Sequence, residues 1–188
     1  MARAALEGRA RAVQLRAPEL RPEELLVLAS ALAALCRSGG SLFVVNDDVG
    51  VALKSGADGV HLGQGDDLMG TRDRLGPDRV LGISVETAFQ ARRAQELGAD
   101  YLGVTVWSTS TKSEALPAGL DGLREIVAAT ELPVVGIGGI DTSNVRQVLE
   151  AGVAGVAVVS AVGAAPDAVA ATRDLVAAVE EFDREGAT

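Results

Sequence analysis

The stretch SGADGVHLG, residues 55–63, returns in plan as LGADYLGV at 97–104 and again as AGVAGVAVV at 151–159. In each copy a glycine stands where apolar residues of helical spacing stop, and a run rich in Val and Leu or Ala starts within a few residues. Glycine takes the left-handed backbone that ends helices at little cost. Each copy therefore reads as the turn from a helix into the next strand, and the recurrence predicts a repeated βα unit.

Working outward, short runs rich in Val, Ile and Leu occur at residues 12–16, 42–46, 59–64, 80–85, 101–107, 133–139 and 155–162. Between them, apolar residues three and four apart mark helices at 22–37, 86–97, 120–129, 144–151 and 167–182. The strand runs are nearly continuous in apolar residues, as parallel strands covered on both faces require. Repetition of one unit fits a closed barrel better than an open dinucleotide-binding sheet. Residues 1–11 read as a short charged helix leading directly into AVQLR, with no length for a strand before it. The expectation is an α/β chain, one (β/α) barrel domain over residues 1–188, of TIM (β/α)8 type but N-terminally short and lacking the first strand.

With 188 residues, 48% of them hydrophobic, the chain is long enough for a real core. Its formal net charge of -9 is the wrong sign for a general nucleic-acid binder, so no nucleic-acid partner is expected. Cys36 stands alone and reads as a small buried hydrophobe in a reducing compartment. The longest apolar stretch, 25–35, is interrupted by Ser30 and too short to span a bilayer, and the N-terminus lacks the apolar core of a signal peptide. No membrane association and a cytoplasmic location follow as expectations.

In a (β/α) barrel, chemistry sits where strands end and the following loops begin. The expected ends carry Gln14 and Arg16, Asn46 and Asp47, Gln64 and Asp66, Ser84, then Thr109, Thr111 and Lys112, then Gly138 and Gly139, and Ser160. Asp47 and Asp66 close consecutive strands. Either alone reads equally as a helix cap. Together, beside Asn46 and Gln64, they favour a shared hard cation such as Mg²⁺, which takes one or two carboxylates plus phosphate oxygens. Asp48 and Asp67 are then the caps. VVGIGGID, at 134–141, is a strand-to-helix turn with the helix expected from about Thr142, and its bare amides suit a phosphate. Ser160 would lie beside Gly139, at the loops where barrels commonly hold phosphate. The tract WSTSTK, at 107–112, supplies hydroxyls from Thr109, Ser110 and Thr111 and a charge from Lys112. In isolation it reads as a solvated loop. His61, the single histidine, reads as a satisfied interior residue rather than a catalytic one.

The ordered series VQLR, VVNDDV, GADGVHLGQGD, LGISVET, GADYLGV, TSTK, VVGIGGI and AGVAGVAVVSA resembles thiamine-phosphate synthase across nearly the whole chain. The resemblance implies a transferase of thiamine biosynthesis. It joins hydroxymethylpyrimidine, delivered as its diphosphate, to a thiazole phosphate, releasing diphosphate in a Mg²⁺-dependent step. It further implies Asp47 and Asp66 as Mg²⁺ ligands, and Gln14, Arg16, Asn46, Ser84 and Lys112 around the pyrimidine diphosphate, with Lys112, Arg16 and Ser84 acting in catalysis. Thr109, Ser110, Thr111, Gly139, Val159 and Ser160 would hold the thiazole phosphate. The partners are these two small molecules, and the edges of an incomplete barrel make a homo-oligomer an expectation.

Two departures stand out. Pro18 occupies the position where the family pattern has a Lys, which removes one ammonium from the diphosphate, and the first strand is missing; both predict reduced activity. The alternatives are a thiazole tautomerase-like enzyme and a non-catalytic phosphate-binding or regulatory barrel. Thr105 stands where the related tautomerase has its His, which speaks against the first.

Overall fold

The computed structural model of the chain describes residues 1–63, 67–107 and 116–186. Seven strands lie side by side in chain order, each parallel to the next: β1 (Ala12–Leu15), β2 (Leu42–Asn46), β3 (Gly59–Leu62), β4 (Val80–Ser84), β5 (Tyr101–Thr105), β6 (Val134–Ile137) and β7 (Gly155–Ala157). The connecting helices are α1 (Ala2–Glu7), α2 (Pro22–Gly39), α3 (Val49–Ser55), α4 (Thr71–Leu75), α5 (Ala88–Glu96), α6 (Gly119–Ala128), α7 (Val145–Leu149), α8 (Ser160–Gly163) and α9 (Ala168–Gly186). The sheet is the expected curled (β/α) architecture, one strand short of the eight that close such a barrel. Among the described residues no helix is long and apolar enough to cross a membrane.

Successive side chains of a strand point to opposite faces. The outward row, including Leu15, Phe43, Val45, Val60, Leu62, Leu81, Ile83, Leu102 and Val104, is buried beneath the helices and forms the core. The opposite row includes Gln14, His61, Ser84 and Tyr101, so the interior carries most of the polar side chains of the strands.

The repeated turns explain themselves in this frame. Gly56, Gly98 and Gly152 all have positive φ, at 72°, 79° and 91°. The Asp that follows in the first two copies reaches back to the preceding strand: Asp58 Oδ2 accepts from Phe43 N and Asp100 Oδ2 from Leu81 N, each at 2.7 Å. The same two residues return a bond, Asp58 N to Phe43 O at 2.9 Å and Asp100 N to Leu81 O at 2.8 Å. In the third copy Ala154 keeps only the backbone half, donating to Val134 O at 2.8 Å. The motif is thus a clamp that sets the register of each new strand.

Several expected boundaries change. The run 155–162 is strand only to Ala157; Gly163 N donates to Val159 O at 2.7 Å and Ala164 N to Ser160 O at 3.0 Å, making α8. With a neighbour on one side only, β7 loses residues to local helical bonds. The runs 59–64, 101–107 and 133–139 are strand only to Leu62, Thr105 and Ile137. The helix after GGID starts at Val145 rather than near Thr142, because Asp141 Oδ1 accepts from Ser143 N at 2.8 Å and Asn144 Oδ1 from Asp141 N at 3.0 Å, closing a turn first. Asp67 is not a cap: Gly70 holds the N-cap of α4, and Asp67 offers only its carbonyl, to Thr71 Oγ1 at 2.7 Å.

Candidate active site

The described candidates gather at the C-terminal ends of the strands. Gln14 is the third residue of β1 and Arg16 follows its last, both exposed. Pro18 is the second residue of a turn closed by Leu20 N donating to Ala17 O at 3.1 Å, a place where its fixed φ is favourable. Asn46 ends β2, half-buried.

Asp47 comes next, with φ at 66°, one of two non-glycine residues of positive φ among those described. Its N–H donates to His61 O at 2.8 Å while Asp48 N donates to Asn46 O at 2.9 Å, a three-residue turn centred on Asp47. Asp48 then caps α3, accepting from Val51 N at 2.8 Å. Two adjacent carboxylates are therefore sent to different tasks: Asp48 is committed to the helix, and Asp47 is exposed at the strand end in an uncommon backbone conformation. Such conformations persist where the surroundings enforce them and cluster at functional sites.

On the far side, Gly138 and Gly139 have φ of 99° and 66°, outside the range that side chains favour. Asn144 Nδ2 donates to Gly139 O at 2.9 Å, bracing the turn, and the Ser143 donors hold the Asp141 carboxyl below the usual carboxylate range. Ile137 and Ala157, the last residues of β6 and β7, pair; Gly139 and Val159 each follow their strand by two residues, and Ser160 opens α8, with Val159 and Ser160 exposed.

Beneath this rim lies a polar layer that sequence reasoning reached only in part. His61 is buried at 8% exposure, as an interior residue should be. Its Nδ1 is 2.9 Å from the Tyr101 hydroxyl and its Nε2 is 2.9 Å from Ser84 Oγ. Burial of Tyr101 pushes its pKa up to about 12, so it stays neutral. Room for the two rings comes from glycine: a Cβ on Gly82 would lie 2.5 Å from His61 Nδ1 and collide with the Tyr101 ring, and one on Gly103 would lie 2.9 Å from His61 Cε1. The available signal was a mid-strand glycine in LGIS and in YLGV, which marks close approach of a neighbour.

Gln64, Asp66, Thr109, Ser110, Thr111 and Lys112 lie outside the described residues. Thr105, buried, ends β5 three residues before the second of these segments begins.

Residues 1–162 match the family model described as thiamine monophosphate synthase. The chain is 48% identical over 179 residues to the thiamine-phosphate synthase of Moorella thermoacetica, covering 93% of this chain and 85% of that one. It is 51% identical over 177 residues to the thiamine-phosphate synthase of Laribacter hongkongensis, covering 93% and 83%. The solved thiamine phosphate pyrophosphorylase from Pyrococcus furiosus superposes with a TM-score of 0.90 at 42% identity, over 96% of this chain and 88% of that one. These similarities favour neither the tautomerase nor the non-catalytic reading, and the chain belongs to the thiamine monophosphate synthase family.

Proposed function

We propose that this chain couples hydroxymethylpyrimidine diphosphate with thiazole phosphate to give thiamine phosphate and diphosphate, using Asp47 and Asp66 to hold Mg²⁺. Family membership makes it a transferase of thiamine biosynthesis. The observation that supports this use of the strand ends is Asp47, kept out of the helix cap that Asp48 fills and exposed where the leaving group would sit. An exposed carboxylate beside the Asn46 amide is an oxygen-donor set that suits a hard cation. When bound, Mg²⁺ would offset the charge of the diphosphate.

In the reaction, the bond from the pyrimidine methylene carbon to the diphosphate oxygen breaks with its electron pair leaving on the oxygen. Arg16, Ser84 and Lys112 donate to oxygens whose charge is growing, which stabilises the transition state more than the ground state. The thiazole nitrogen then forms the new C–N bond with its lone pair, so no general base is required for that step. Gly139, Val159 and Ser160, with Thr109, Ser110 and Thr111, hold the thiazole phosphate and so fix the nucleophile close to the carbon. The setting we infer is cytoplasmic.

The test is a synthase assay with both substrates and Mg²⁺. Asp66→Asn is expected to lower product formation in a way that added Mg²⁺ partly restores, since oxygen ligation survives the loss of charge. An unchanged Mg²⁺ dependence would remove Asp66 from the metal, and absence of thiamine phosphate with the wild-type chain would remove the activity.

A further inference from the structure

The peptide that joins Gly139 to Ile140 is held from one side only. Asn144 Nδ2 donates to Gly139 O at 2.9 Å, and Asn144 Oδ1 accepts from Asp141 N at 3.0 Å. Asp141 N can only donate and Gly139 O can only accept, so these two partners fix which way the Asn144 amide faces. The Gly139–Ile140 peptide is trans, which sets its N–H opposite its C=O. With the oxygen turned to Asn144, the Ile140 N–H points away from it. Among the described residues neither Gly139 N nor Ile140 N has a hydrogen-bond partner, although Ile140 is buried at 4% exposure. Buried backbone donors are nearly always paired, with protein, water or a ligand.

What Asn144 prevents is a rotation of that peptide. Gly138 and Gly139 have φ of 99° and 66°, and a glycine on its N-terminal side lets a peptide rotate at little steric cost. Turned over, the peptide would present its carbonyl oxygen where its N–H now stands, and an anion would meet the negative end of the dipole. The other bonds of this loop do not oppose that rotation: Ser143 N and Oγ donate to Asp141 Oδ1 and touch neither Gly139 O nor Ile140 N. We propose that Asn144 is a positioning residue for the thiazole phosphate, holding the Gly139–Ile140 peptide with its N–H toward the phosphate. This rests on Gly139 meeting that phosphate, as in the proposed function.

The test compares the thiazole phosphate with the same thiazole lacking its phosphate, in calorimetric binding and in the coupling assay. Asn144→Ala is expected to weaken the thiazole phosphate about tenfold in Kd and in KM, with the pyrimidine diphosphate KM and the affinity for the unphosphorylated thiazole unmoved. Asn144→Asp keeps an acceptor for Asp141 N but loses the donor to Gly139 O, and should lose at least as much. Ser143→Ala loosens the same turn without touching Gly139 O, and should stay within about twofold of wild type. A merely structural role would move both thiazoles together and would spare Asn144→Asp. Unchanged thiazole-phosphate binding in Asn144→Ala, wild-type affinity in Asn144→Asp, equal losses for the two thiazoles, or a loss in Ser143→Ala as large as that in Asn144→Ala would each overturn the proposal. A wild-type chain that binds the thiazole phosphate but couples nothing would instead overturn the proposed function, and the binding series alone would then decide the role of Asn144; one that does not bind it would overturn both.

Discussion

Asp47 shows how much one backbone angle can reveal. Its left-handed φ of 66° is unfavourable for a residue with a Cβ, although Asp tolerates it better than most. Relieving it should help the fold and harm the reaction. Asp47→Gly is expected to raise stability by up to about 1 kcal/mol, the backbone strain outweighing the added freedom of the unfolded chain, while synthase activity falls by at least about a hundredfold. Urea unfolding and the coupling assay on the same preparations check this; a destabilised Asp47→Gly, or one that keeps its activity, would break the link between strain and function. In the sequence, VVNDD marked Asp47 as a strand-end carboxylate and Asp48 as a cap, and both positions stand. The strain itself was not legible, because it comes from the bond between Asp47 N and His61 O on the neighbouring strand. The partners of His61 were equally invisible: they sit 23 and 40 residues away along the chain, and only register brings them together.

Elements were legible where their pattern was long or repeated. The helices of nine residues or more, such as α2 and α5, were found by apolar spacing, and the glycine turns located the starts of β3, β5 and β7. Helices α3, α4 and α8, of 7, 5 and 4 residues, were missed because two turns or fewer offer few repeats of a period near 3.6; the five-residue α7 was placed only inside a longer expected run, 144–151. In an element as short as α3 the cap is a large part of its stability. Asp48→Ala, which orphans Val51 N, is expected to cost about 1 kcal/mol while leaving the Mg²⁺ dependence of the reaction in place. Asp47→Gly should do the reverse, sparing the fold and removing activity. Thermal unfolding of the two variants beside their Mg²⁺ titrations separates the roles, and a matching profile for both would mean that the neighbouring acids act as one group.

At the scale of the molecule, burial of the sheet's inner row falls off toward its two edges. Inner residues of β3 and β5 such as His61 and Thr105 are buried, Val135, Ile137 and Ala157 of β6 and β7 are half-buried, and Gln14 and Ala12 of β1 are exposed. Closing a barrel would remove both edges; here β1 and β7 each pair on one side only among the described strands, leaving backbone donors and acceptors along a partly apolar face. The sequence showed seven strands and hence this seam, but not which inner residues it uncovers, since that follows from register. Unpaired edges recruit other strands, so the 188-residue chain is expected to associate as its concentration rises. A charge pointing inward at an edge opposes such pairing. Ala12 is exposed, and a Cβ built on Gly155 meets nothing within 4 Å, so a lysine fits at either place. Ala12→Lys and Gly155→Lys are each expected to shift the chain toward the monomer in sedimentation or light scattering, with a change in stability of about 0.5 kcal/mol or less. The combined variant should shift it furthest, because the two edges act independently. A wild-type chain that stays monomeric at every concentration, or association untouched by both lysines, would show that the edges are not what brings copies together.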